Sequence, residues 1–138
     1  MKINRPVIVS ALMAATVAFA ADVKVIANPG LTASTISSED LKGVFLATKS
    51  TLGESGRVEP VLLKAGPAHQ AFIKEYVGKA EAALETYYRS LVFTGKGSMP
   101  KTLASEAEMV AYVAKTKGAI GYVSAAAAIN GVKTLEVK

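Results

Sequence analysis

The sequence predicts an α/β domain in which a mostly parallel sheet is flanked by helices. Three observations carry this: β-branched apolar runs alternate with segments of helical periodicity, capping signals open the helical segments, and a 138-residue chain that is 51% hydrophobic suits a single core.

The first element precedes that domain. Met1 to Arg5 is basic, Pro6 to Ala18 is apolar, and Ala18-Phe19-Ala20 is a small-x-small sequence, the three-part pattern of a secretory signal peptide cleaved after Ala20. The apolar run is shorter than the roughly 20 residues a spanning helix needs, so no membrane span is expected once it is removed. Losing residues 1–20 removes Lys2 and Arg5, lowers the formal charge from +5 to +3, and leaves 118 residues (21–138) as one domain.

Asp22 to Ala27 alternates and is β-branched, which predicts the first strand, ended by Asn28-Pro29-Gly30. Ser37 and Asp40 form a capping pair ahead of Leu41, Val44 and Phe45 at helical spacing. Val58 to Leu63 is nearly continuous in apolar character and reads as a strand buried on both faces. Pro67 suits a first helical position, and the stripe Ala68, Phe72, Tyr76 and Val77 runs to Gly78. Glu81 to Leu91 gives the next helix, expected to form a hairpin with the one before. Phe93 to Pro100 is a loop. Ser105 and Glu108 then cap a helix carrying Met109, Val110 and Val113, Gly118 stops it, and Ala119–Val123 and Val132–Val137 read as the last strands.

Two stretches have the composition to hold an anion. Lys64-Ala65-Gly66-Pro67-Ala68-His69 is a strand-to-helix turn, where unpaired backbone N–H groups and the helix dipole favour negative charge. Lys64, Gly66 and His69 are its candidate ligand-binding residues, although Pro67 has no N–H to give and the turn carries no hydroxyl. His69, the single histidine, has two readings: solvent-facing on the first helical turn, or in contact with ligand. The second stretch is Thr94-Gly95-Lys96-Gly97-Ser98, whose glycines allow amides to converge on an anion with help from Lys96 and Ser98, or simply make a turn. It lacks the spacing of a nucleotide-binding loop.

Other chemistries find little support. With one histidine and no cysteine, the sequence offers no metal-ligand spacing and no disulfide, and no cofactor is expected. Its lysines are scattered, with no aromatic-basic stripe for nucleic acid. Catalysis by a serine would need Ser98 or Ser124 to meet His69, and no elbow sequence is present. The tyrosines Tyr76, Tyr87, Tyr88 and Tyr112 fall on apolar helical stripes and are expected to pack in the core.

Several stretches together resemble a family. Ile36-Ser37-Ser38-Glu39-Asp40-Leu41-Lys42-Gly43-Val44-Phe45-Leu46, Leu91-Val92-Phe93-Thr94-Gly95-Lys96-Gly97 and Lys117-Gly118-Ala119-Ile120-Gly121-Tyr122-Val123 are similar to segments of phosphate ABC transporter substrate-binding proteins, of the type II periplasmic binding-protein class. Lys117 stands where that family usually has proline. The resemblance implies a single layered lobe of the type II kind, a periplasmic location, no catalysis, and phosphate or another small oxyanion as ligand. It also marks two departures. A 118-residue domain supplies about one lobe where full receptors use two. In addition, the family's anion loop carries Arg, Ser, Gly and Thr, whereas Leu63 to His69 lacks the arginine fork and both hydroxyls, the groups that make oxyanion capture strong. The expected function is therefore an exported, solute-binding-like protein associated with phosphate uptake, with a degenerate anion site. The alternative is an interaction module, as a homodimer or with another protein, which exposed apolar residues near Phe93 and Met99 would favour.

Overall fold

A computed structural model describes residues 23–138. The expected signal peptide, its expected cleavage point after Ala20, and Asp22 of the expected first strand lie outside those residues. The described residues build six strands, β1 (Val23–Ala27), β2 (Thr35–Ile36), β3 (Glu59–Leu63), β4 (Lys101–Leu103), β5 (Ala119–Ser124) and β6 (Lys133–Val137), and four α-helices, α1 (Ser38–Phe45), α2 (Pro67–Phe72), α3 (Glu81–Phe93) and α4 (Glu106–Lys115). They form one mixed sheet in the order β2-β6-β1-β5-β3-β4.

Pairing is parallel between β2 and β6, β5 and β3, and β3 and β4, so five strands share one direction. The first strand is the exception: β1 runs antiparallel to both β5 and β6 near the middle of the sheet. The two short edge strands, β2 and β4, are additions to the pattern read from the sequence. At two and three residues they are too short to show an apolar period.

Local chemistry explains where the helices begin. The Ser37 hydroxyl accepts the Asp40 N–H at the start of α1, and the Ser105 hydroxyl accepts the Glu108 N–H at the start of α4. Glu108 returns its carboxylate to the Ala104 N–H, so α4 opens on a reciprocal box. Beyond α2 the helical segment widens into a π turn, Ile73–Val77, closed by Gly78 in the left-handed region. After this reversal α3 leans on α1 through its tyrosines: the Tyr87 and Tyr88 hydroxyls donate to the Leu46 and Phe45 carbonyls.

The core lies between the sheet and these helices. Phe72 stacks on Tyr122 with ring centroids 3.9 Å apart, and Phe45 meets Phe72 edge-on at 4.8 Å. Gly121 on β5 lets α4 come close, because a Cβ there would stand 2.4 Å from Met109 Sδ. Tyr88 is buried, as its stripe predicts, while Tyr76, Tyr87 and Tyr112 are half-buried against the core. Among the described residues no helix is long and apolar enough to cross a membrane.

Candidate functional site

β3 delivers the chain to the candidate turn. Val61, Leu62 and Leu63 are buried, and the Lys64 N–H donates to the Leu103 carbonyl of β4, which pins the start of the turn. Gly66 then takes φ 111° and ψ 170° as N-cap of α2, a conformation in effect reserved for glycine. A Cβ there would meet nothing within 4 Å, so the turn faces open space. Helix geometry leaves the Ala68 and His69 amides without intrahelical acceptors, whereas Pro67 contributes none. Lys64 is exposed beside them.

His69 does not face solvent. It is 5% exposed, and its Nδ1 forms a short hydrogen bond with the Tyr122 hydroxyl. That hydroxyl also accepts the Leu63 N–H at 3.0 Å, so its own hydrogen points to Nδ1. His69 is accordingly a neutral imidazole with its proton on Nε2, directed toward the Glu81 carboxylate 3.9 Å away. Burial holds the imidazole pKa below its ordinary value, against the opposing pull of Glu81. Burial likewise raises the Tyr122 phenol, which stays protonated. The solvent-facing reading fails because the helical turn at Pro67 swings residue 69 inward over β5.

A cavity of about 220 Å³ adjoins this pair, lined by Lys64, His69, Glu81, Glu85, Tyr88 and Thr102 among others. One lysine there faces two carboxylates, a poor balance for an anion.

The second candidate stretch is a helix C-cap. Gly95 sits at φ 71°, the Gly95 N–H donates to Val92, and the Lys96 and Gly97 N–H groups both donate to Leu91. This is a Schellman arrangement that closes α3, and Thr94 adds its amide and hydroxyl to the Ser90 carbonyl. The amides of residues 94–97 are therefore turned onto carbonyls at the negative end of a helix. Ser98 lines a different, cationic cavity beside Lys49, Arg57, Lys101 and Lys117. The structure thus places Lys64 and His69 on one cavity with Gly66 in the turn between them, gives the Thr94 to Gly97 amides to the end of α3, and puts Ser98 on another cavity, with Met99 bordering both.

The sequence reading missed the role of Tyr122. Its one signal was a tyrosine in an otherwise apolar strand, whose hydroxyl must find a buried partner. Neither serine meets the histidine: Ser124 donates to the Glu106 carboxylate at 2.9 Å, and His69 is engaged by Tyr122. Among the described residues no three histidine or acidic side chains gather as metal ligands.

No family model matches the sequence, and no curated protein matches it. Solved structures do match its fold. A candidate phosphate ABC transporter substrate-binding protein from Clostridium perfringens, with bound phosphate, aligns at a TM-score of 0.65 and 14% identity over 84% of this chain and 44% of that one. PstS from Borrelia burgdorferi aligns at 0.65 and 13% over 85% and 47%, and an ABC-type phosphate transport receptor from Vibrio cholerae at 0.55 and 16% over 84% and 46%. The chain spans less than half the length of each of these proteins. In fold, the chain is similar to the lobes of phosphate ABC transporter substrate-binding proteins.

Proposed function

We propose that this chain is an exported, non-enzymatic solute-binding-like protein associated with phosphate or related oxyanion uptake, acting in the periplasm after cleavage near Ala20. The observation that carries this reading is the turn Lys64 to His69 at the carboxyl end of β3, in a fold similar to that of phosphate-binding lobes. Ligands of open α/β sheets sit at such strand ends. In this reading the exposed Lys64 ammonium, the open backbone at Gly66 and the free Ala68 and His69 amides meet the oxyanion. His69 acts through its backbone, because its ring belongs to Tyr122. With its amides committed to α3, the Thr94 to Ser98 loop takes no part in this site. A site without a guanidinium fork or a hydroxyl, facing Glu81 and Glu85, leaves the anion largely hydrated, and weak, salt-sensitive affinity follows. Calorimetric titration of inorganic phosphate, with sulfate for comparison, tests it. Saturable binding with a Kd in the millimolar range that weakens in Lys64→Ala supports the reading, and no heat up to tens of millimolar removes it.

A second reading is favoured by one specific observation. Phe93 is 93% exposed at the end of α3, with Val92 at 52% and Met99 at 51% beside the same loop. Three large apolar side chains uncovered together suit an interaction module that has lost its ligand. Sedimentation velocity across a concentration series tests it: a dimer that dissociates in Phe93→Ser supports this reading, and a monomer at all concentrations counts against self-association.

A further inference from the structure

A second cavity, of about 420 Å³, lies at the opposite end of β3 from the Lys64 turn. It is built where the amino ends of β3, β4 and β5 come together, and four cationic residues from separate segments line it: Lys49 after α1, Arg57 before β3, Lys101 on β4 and Lys117 before β5.

The backbone fixes this convergence. The Val58 N–H donates to the Ser50 carbonyl and the Glu59 N–H to the Gly118 carbonyl, so the segments bearing Lys49, Arg57 and Lys117 are tied edge to edge. Gly118 allows the approach. Its φ is +82°, and a Cβ there would stand 2.6 Å from the Arg57 carbonyl oxygen. Gathering these cations is unfavourable unless anions offset them, and the offset is partial. Lys49 pairs with Asp40 at 2.7 Å, a contact that holds the Asp40 carboxyl below its ordinary pKa. Lys101 lies 5.1 Å over the Tyr112 ring, whose hydroxyl donates to Glu59, the one carboxylate lining the cavity. Among the described residues, neither the Arg57 guanidinium nor the Lys117 ammonium has an ion-pair or hydrogen-bond partner.

We propose that this cavity is a binding site for a small organic dianion, held by Arg57 and Lys117, with its apolar body against Val44, Pro60 and Met99. The guanidinium fork suits a planar or tetrahedral oxyanion, and the ammonium supplies the second charge. A concave volume of this size takes a small molecule larger than a bare inorganic ion. The Ser50 and Ser98 hydroxyls at the wall complete a mixed lining of the kind that fixes a ligand's orientation. Met99 also borders the cavity beside His69, whereas the two anion-holding groups, Arg57 and Lys117, lie at the other end of β3 from the Lys64 turn.

The test uses the purified protein and phenyl phosphate at pH 8, with inorganic phosphate and benzoate as the charge-only and single-charge comparisons, read by amide chemical shifts. The expected result is saturable shifts at Ser50, Val58, Ser98 and Gly118. Affinity for phenyl phosphate should exceed that for either comparison by about tenfold, and Arg57→Gln/Lys117→Gln should lose about tenfold while Lys74→Gln, exposed and outside the cavity, binds as the parent. Both residues are exposed, so the double variant should retain the parent circular dichroism spectrum; if it does not fold, the site of the parent's shifts decides. Absence of saturation, equal affinity for inorganic phosphate, shifts confined to Lys64–His69, or a folded double variant that binds like the parent each overturns the proposal.

Discussion

Removing one oxygen atom probes the centre of the candidate site. Tyr122→Phe keeps the ring that stacks on Phe72 and deletes the hydroxyl that accepts the Leu63 N–H and donates to His69 Nδ1. Both partners are buried, with Leu63 at 4% and His69 at 5% exposure, so neither can turn to water. An orphaned buried donor or acceptor costs about 1–3 kcal/mol, and two sharing one oxygen should together cost about 3 kcal/mol. With a urea m-value of about 1.5 kcal/mol/M for a domain of this size, the unfolding midpoint should fall by about 2 M at unchanged m. Amide exchange at Leu63 should quicken more than at its strand neighbour Leu62. A loss below about 0.5 kcal/mol, with Leu63 still protected, would refute the assignment of this hydroxyl as the shared partner.

Other expectations concern pH, packing and caps. Burial lowers the His69 pKa from its ordinary 6.5, so as pH falls the unfolded chain takes up the proton first. Stability is then full above about pH 6.5 and declines below it, by at most about 1.4 kcal/mol per pH unit, with Glu81 softening the loss. Urea unfolding between pH 7.5 and 5.5 should show that slope in the parent and a flatter one in His69→Gln. Gly121→Ala sets a methyl against Met109 and should cost about 1–3 kcal/mol, read as a lower midpoint. Ser105→Ala removes the N-cap of α4 and should cost about 1 kcal/mol by the same assay.

Much of the fold is legible because its signals are local. The caps at Ser37 and Ser105 act over three residues, and β1, β3 and β5 carry their own apolar runs. The antiparallel placement of β1 is set by partners near the far end of the chain, Ser124 and Leu135, which no local period reports. The site follows the same division. Gly66 and Lys64 are visible as a strand-to-helix turn, whereas the inward turn of His69 depends on Tyr122, 53 residues away. The glycines at 95 and 97 were ambiguous between an anion nest and a helix stop, because both use the same backbone freedom. Only the position of the Leu91 carbonyl, which accepts from Lys96 and Gly97, gives the helix stop. The cations at 49, 57, 101 and 117 look scattered in sequence because each sits beside a different strand or helix end.

The proposed function requires the Lys64 to His69 turn to hold a small oxyanion weakly. The most direct measurement is a titration of inorganic phosphate followed by amide shifts at low ionic strength. Saturable shifts are expected at Ala65, Gly66, Ala68 and His69, diminishing in Lys64→Ala and as salt is added. Phosphate that leaves those amides unmoved up to tens of millimolar, while the protein remains folded, would contradict it.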